Sequence, residues 1–96
     1  MLNTIGLALR ARKITIGTEL TLDELRRSKV YLIFLANDAS MGTQKKVLDK
    51  AKFYQCEVYL DFSSDEISHA IGKHDIKVIG ITDRGFSQLL MSQRRK

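Results

Sequence analysis

Apolar residues along this 96-residue chain change their spacing several times. Leu2, Ile5, Ala8 and Leu9 recur at helical intervals and predict a first helix ending near Arg10–Lys13. Ile14 to Ile16 reads as a short strand. Leu22 and Leu25 mark a second helix reaching about Arg27. Val30 to Ala36 is an unbroken apolar run rich in β-formers, the pattern of a strand covered on both faces. Ser40 or Thr43 opens a helix whose inner face carries Val47, Leu48, Ala51 and Tyr54. Cys56 to Leu60 is a second main strand. Ser63–Glu66 has the spacing of a capping box ahead of Ile67, Ala70 and Ile71, and Gly72 stops that helix. Val78 to Ile81 is a third buried strand, and Asp83 caps a last helix carrying Phe86, Leu89 and Leu90, followed by the tail Gln93–Lys96, whose end is expected to fray.

Strands alternating with helices of about ten residues imply crossover connections and a largely parallel core. About four strands cannot close a barrel, so helices must cover both faces. The expected fold class is therefore α/β: a three-layer α/β/α sandwich with a mixed sheet of about four strands and about five helices. The chain has no proline, no low-complexity tract and no internal repeat, so residues 1–96 read as one domain.

Hydrophobic residues make up 44% and charged residues 28%, which excludes a disordered chain. The 16 Lys and Arg against 11 Asp and Glu leave +5, a balance that favours an anionic partner, most commonly nucleic acid. Cys56 is the single cysteine, so no intramolecular disulfide can form and a reducing compartment is expected. The first residues lack a charged leader followed by a long apolar run, and Val30–Ala36 is far too short to span a membrane. A cytoplasmic location with no membrane partner is expected.

Catalysis finds little support. Gly42-Thr-Gln-Lys45 lacks the spacing of a phosphate loop, and no Gly-x-Gly-x-x-Gly is present. Cys56 sits in an apolar strand, where a thiol behaves as a small inert hydrophobe. His69 and His74 are separated by a helix end with no ligand at metal-binding spacing. No enzyme activity, metal or cofactor is expected.

Two loops carry more information. In Arg10–Leu20 three cations lead into a strand, and Gly17 stands just ahead of a helix. A glycine there lets backbone N–H groups approach an anion at the positive end of the helix. The alternative is a solvated basic turn. The second loop, Gly72-Lys-His-Asp-Ile76, precedes the third main strand. In a parallel sheet, turns that precede strands lie at the opposite end from the usual ligand site, so this pattern alone does not bring the loops together.

The order Arg12-Lys13-Ile-Thr-Ile-Gly17, Val30–Ala39, His69-Ala-Ile-Gly-Lys73 and Ile79–Gly85 resembles the ribosomal L7Ae/L30e superfamily of kink-turn RNA-binding proteins, and most closely its bacterial YlxQ-type members. The resemblance covers nearly the whole chain. It implies a fold in which the Gly17 loop and the Gly72–Ile76 loop lie side by side and dock into a sharply bent RNA. The helix N-terminus would read sheared G·A pairs, and the second loop would pack on a flipped-out nucleotide. Carried onto this sequence, the RNA-binding set is Arg12, Lys13, Gly17, Thr18, Glu19, Leu20, Asp23, Arg27, Gly72, Lys73, His74 and Ile76, with Ile76 as the packing residue. Arg10, Arg26 and Lys29 would add charge near the Gly17 end. The implied partner is structured RNA, ribosomal RNA included, with a ribosomal or translation-factor protein as a further candidate and no DNA.

Gly17 and Thr18 match the family's helix start, but three neighbours depart from it. Glu19 stands where RNA-binding members have asparagine, Leu20 where they have glutamate, and Asp23 where they have lysine. Ionised Glu19 can only accept hydrogen bonds, whereas asparagine both donates and accepts. Thr21-Leu-Asp-Glu24 is moreover a capping box in its own right, with Leu20 and Leu25 at the positions of a hydrophobic staple. On that reading the helix starts at Leu22 and its own acids consume the N-terminal potential. Two functions follow: a kink-turn-type RNA-binding protein associated with ribosomes or translation, or an adaptor for ribosome assembly or protein interaction that keeps the shape without specific RNA reading.

Overall fold

Ser40 and Ser63 set the boundaries of two helices through their own hydroxyls. In the computed structural model, which describes residues 1–95, Ser40 Oγ accepts from Thr43 N at 3.2 Å. Ser63 and Glu66 cap each other reciprocally at 2.9 and 3.1 Å, and Asp83 Oδ2 accepts from Phe86 N at 2.9 Å. Each bond satisfies an N–H that the first helical turn leaves unpaired. The elements are α1 (Leu2–Arg10), β1 (Ile14–Ile16), α2 (Thr18–Arg26), β2 (Leu32–Leu35), α3 (Met41–Phe53), β3 (Glu57–Tyr59), α4 (Ser64–Ala70), β4 (Val78–Ile81) and α5 (Arg84–Arg95).

The four strands form one sheet in the order β1-β4-β2-β3. Every residue of β2 and β4 is buried, as their apolar runs require of central strands. α2 packs on α3, while α1 packs on α4 and α5, giving a helix layer on each side of the sheet. Phe34 is fully buried at the centre and meets Tyr59 edge-on, ring centroids 5.7 Å apart. The three-layer α/β/α architecture with a four-stranded mixed sheet and five helices is thus as expected.

The pairing corrects the expectation of a largely parallel core. Only β2 and β3 are parallel. β4 runs antiparallel to both neighbours, with Ile16 opposite Ile79 and Leu35 opposite Val78. The chain from α4 to β4 does not cross the sheet in the usual sense. It returns along α4 through residues 71–77, so β4 enters from the end at which β1, β2 and β3 finish.

Three smaller expectations also change. α2 begins at Thr18 rather than Leu22. Thr21 is no cap, because its side chain is fully buried and its hydroxyl is hydrogen-bonded to that of Thr15 at 2.8 Å. Leu20 is half exposed, so it forms no staple with Leu25. On α3, Val47 and Ala51 face the core but Leu48 is exposed. Finally, the expected fraying does not reach Arg94, which lies in α5. Its Nε donates to both carboxylate oxygens of Asp61 at 3.0–3.1 Å, and its guanidinium lies 4.3 Å from the Tyr59 ring centroid. Lys96 lies outside the described residues.

Candidate nucleic-acid interface

The reversed direction of β4 assembles the corner that sequence reasoning left open. β1 ends beside the start of β4, and Gly17 N–H donates to the Val78 carbonyl at 2.8 Å. One residue earlier, Lys77 O accepts from Ala36 N at 2.8 Å, so the end of β2 meets the same point. The segment Gly72–Lys77 is therefore tied by its downstream end directly to Gly17.

Gly17 has φ 98° and ψ 157°, a conformation that costs an L-side chain strain. It turns the chain sharply from β1 into α2, and its carbonyl accepts from Thr21 N at 3.2 Å to start the helix. No side chain caps α2. Nothing lies within 4 Å of the point where a Cβ of residue 17 would stand. The backbone at Gly17 and Thr18 is consequently open to a ligand, with the positive end of the helix dipole behind it.

The two acids on this helix are both paired. Glu19, on the first turn, makes an ion pair with Lys46 of α3. The hydrogen bond and charge of Lys46 hold its carboxyl below the usual glutamate range. Asp23 is exposed and bonded to Arg26 at 2.8 Å. Nothing in the linear order places Lys46 opposite residue 19, 27 positions earlier.

On the second loop, Gly72 (φ 67°) and Asp75 (φ 55°) bend the chain twice. Lys73 and His74, between the two bends, are exposed. Ile76 is half-buried against the core, and its N–H donates to Ser68 Oγ at 2.8 Å. Lys77 pairs with Asp75 at 2.9 Å, which raises its pKa. Asp38 braces the same end: its carboxylate accepts from both N and Oγ of Ser64, each at 2.8 Å. Those bonds hold the Asp38 carboxyl below the ordinary aspartate range. This tie between the β2–α3 turn and α4 has no signature in sequence.

Not every candidate residue reaches the corner. Gly17, Thr18, Glu19 and the Gly72–Ile76 segment belong to one end of the sheet, with Leu20 and Asp23 extending along α2. Arg12, Lys13 and Arg27 lie at the other end. Lys13 O accepts from Thr82 N at 2.9 Å, beyond the last residue of β4. Arg27 is the C-cap of α2 and pairs with Glu24 at 3.8 Å. Arg10 and Lys29 share that far end, because α2 runs back along the strand that precedes it, whereas Arg26 reaches back along the helix to Asp23 and its charge helps to lower the pKa of the Glu19 carboxyl. The expectation of charge beside Gly17 is therefore corrected for Arg10, Arg12, Lys13, Arg27 and Lys29. β1 and the nine residues of α2 separate them, about 13 Å at 1.5 Å rise per residue.

Cys56 is half-buried and its thiol is pushed up to about 11 by desolvation and by the charge of Glu57, the reverse of what a nucleophile needs. Among the described residues no group of three or more His, Cys, Asp or Glu side chains is placed to hold a metal ion. No described helix is long and apolar enough to cross a membrane.

The family model of the ribosomal protein L7Ae/L30e/S12e/Gadd45 family matches residues 1–91. Two curated relatives carry the name RNA-binding protein YlxQ. The one from Enterococcus faecium is 47% identical over 87 residues, 91% of this chain and 84% of its own length. The one from Bacillus subtilis (strain 168) is 39% identical over 88 residues, 92% and 88% of the two lengths. Among solved structures, a protein of unknown function from Bacillus halodurans C superposes with a TM-score of 0.94 at 38% identity, covering 99% of this chain and 96% of that one. The Giardia lamblia 15.5kD RNA binding protein superposes with a TM-score of 0.84 over 95% of this chain and 78% of its own. Its 16% identity makes that a likeness of fold.

Proposed function

This chain belongs to the ribosomal protein L7Ae/L30e/S12e/Gadd45 family, and from that premise we propose that it is an RNA-binding protein whose target is a sharply bent, kink-turn-like RNA. The observation that carries the reading is the Gly17 N–H···O Val78 bond at 2.8 Å, which joins the uncapped start of α2 to the loop Gly72–Ile76. A bent RNA presents phosphates and unstacked bases at one place, and shape recognition of this kind needs two protein segments held at a fixed offset. Just past Gly17, whose own N–H is held by the Val78 carbonyl, the first N–H groups of α2 at Thr18 and Glu19 carry no side-chain cap and suit a phosphate or a base edge. Lys73 and His74 supply donors on the second loop, and Ile76 supplies apolar surface for a splayed base.

Glu19 does not repel RNA as an isolated carboxylate would, because Lys46 neutralises it. The work of the protein on this reading is binding and not catalysis. Its setting is the ribosome or the translation apparatus, with ribosomal RNA the first candidate ligand. Titration of a fluorescent kink-turn RNA against an unkinked duplex of equal length, at two salt concentrations, tests it. A preference for the kinked RNA that persists at the higher salt supports shape recognition. Equal, salt-labile binding to both overturns it.

A second reading has its own observation. Glu19 and Asp23 each face solvent on α2 in ion pairs, where the RNA-binding pattern has an amide and a cation. A surface of alternating paired charges suits a protein partner, and the chain would then serve as an assembly adaptor on the ribosome. Binding to a ribosomal or translation-factor protein without RNA favours this alternative.

A further inference from the structure

We propose that the end of the molecule opposite Gly17 is a second RNA-contact surface, which grips the sugar–phosphate backbone of a helix flanking the bend. The proposal rests on the reading that this chain binds RNA, but not on its selectivity for a kink.

The two ends of the sheet differ in charge. Around Gly17 the acids Glu19, Asp38 and Asp75 stand among Lys46, Lys73 and Lys77, and Lys46 and Lys77 are paired with Glu19 and Asp75. At the far end stand Arg12, Lys13, Lys29 and Arg84, all exposed, with none of them in an ion pair among the described residues. The acids beside them are already engaged: Glu24 with Arg27, and Asp83 with Phe86 N.

The backbone fixes these cations in place. Arg12 (φ 59°) and Ser28 (φ 59°) each turn the chain just after a helix ends. Lys13 N–H donates to Ala8 O and Lys29 N–H to Glu24 O, at 2.9 and 3.0 Å, so both turns are braced by their own helices. Thr82 N–H bonds to Lys13 O, and Tyr31 N–H to Ile81 O, both at 2.9 Å. Those bonds set the two turns on either side of the end of β4. Arg84 lies over the Tyr31 ring, 5.5 Å from its centroid, and an open depression of about 440 Å³ runs between β1 and α2, lined by Ile14, Leu20, Lys29 and Tyr31 together with Glu24, which pairs with Arg27.

Long exposed cations on braced turns, with no partner carboxylates, suit a polyanion read by charge rather than by base edges. The largest dimension of the protein is 28 Å, so an RNA helix that leaves the Gly17 corner along the sheet would span the whole body and meet the cationic end.

The test is Lys13→Glu together with Lys29→Glu, titrated with the kinked RNA and with the equal-length duplex at several salt concentrations. Thermal melting confirms the fold, and Lys13→Arg with Lys29→Arg serves as the conservative control. Affinity for both RNAs is expected to fall about tenfold or more at low salt. The slope of log K against log salt should shrink by roughly 0.9 for each lost phosphate contact. The ratio between kinked and unkinked RNA should hold, and the arginine variant should bind as the unmodified protein does. Unchanged affinity and slope in the glutamate variant overturn the second surface while leaving the Gly17 corner in place. An unmodified protein that binds neither RNA overturns both. Loss of the kinked-over-unkinked ratio with the slope unchanged also overturns the proposal, since these lysines would then act at the bend.

Discussion

Lys46 on α3 reaches Glu19 on the first turn of α2 and closes an ion pair between helices that are 27 positions apart in sequence at this point. The pair neutralises an acid where the family pattern has asparagine, and it occupies the side chain nearest the proposed bend. Glu19→Asn removes the acid, leaves Lys46 available to phosphate and adds an amide that can donate as well as accept. Kinked-RNA affinity should rise on the order of tenfold, in the range of a single base-edge contact, while binding to an unkinked duplex rises much less. A fluorescence titration with both RNAs reads this directly.

Asp23 lies one turn further along the same helix and bonds Arg26. Asp23→Lys gives up an i,i+3 pair worth only a few tenths of a kcal/mol on a helix surface (~0.2–0.5). It reverses a charge beside the RNA-facing end. Tighter binding to the kinked RNA with a nearly unchanged melting temperature is the expected outcome. Weaker binding would place this face of α2 away from the RNA.

Gly17→Ala separates backbone strain from steric block. There is open space where the Cβ would stand, so the cost comes from φ 98° alone, about 1–3 kcal/mol for a side chain held in such a region. Denaturant unfolding should show that loss. Gly17→Glu adds bulk and negative charge at the same point and should abolish RNA binding beyond what its stability loss explains.

Gly80 is the place in the core where a methyl group cannot fit. Its Cβ would stand 2.6 Å from Thr15 Oγ1 and 2.9 Å from Thr21 Cγ2, the two side chains that bond each other beneath α2. Gly80→Ala should destabilise by about 1–3 kcal/mol through overpacking and loosen the start of α2. Chemical denaturation with a matched RNA titration checks both effects.

Acid should loosen the Asp38–Ser64 tie. The folded carboxyl titrates below the ordinary aspartate value because Ser64 donates to it twice. Its stabilising contribution is therefore complete above the unfolded pKa near 3.8 and disappears as pH falls through the lower folded value. Asp38→Asn should lower the melting temperature at neutral pH and flatten its decline as the pH falls below about 4, measured by thermal scans in acid.

Much of this molecule follows from the order of its residues. The apolar runs Val30–Ala36 and Val78–Ile81 are strands buried on both faces, because only a central strand can hide every side chain. Ser40, Ser63 and Asp83 start helices because their side chains satisfy N–H groups within three residues, an interaction local enough to read from spacing. The prominence of Gly17 was legible for the same reason: its backbone conformation is a property of one residue.

Competition for Thr21 was not legible. Its hydroxyl had a local offer as a cap and a tertiary one from Thr15, and burial under α2 decided for the second. Leu48, spaced for the core, is left exposed while Val47 and Ala51 of the same helix are buried.

Sequence by itself determined which elements exist and the caps of α3, α4 and α5, set by interactions within a few residues, and the net charge, set by composition. The direction of β4 depended on tertiary structure alone, since strand polarity is chosen by pairing with neighbours such as Ile33 and Thr15, 47 and 65 residues before Gly80. That polarity brings Val78 to Gly17, packing of α3 on α2 brings Lys46 to Glu19, and the lengths of β1 and α2 leave Arg12, Lys13 and Lys29 at the opposite end.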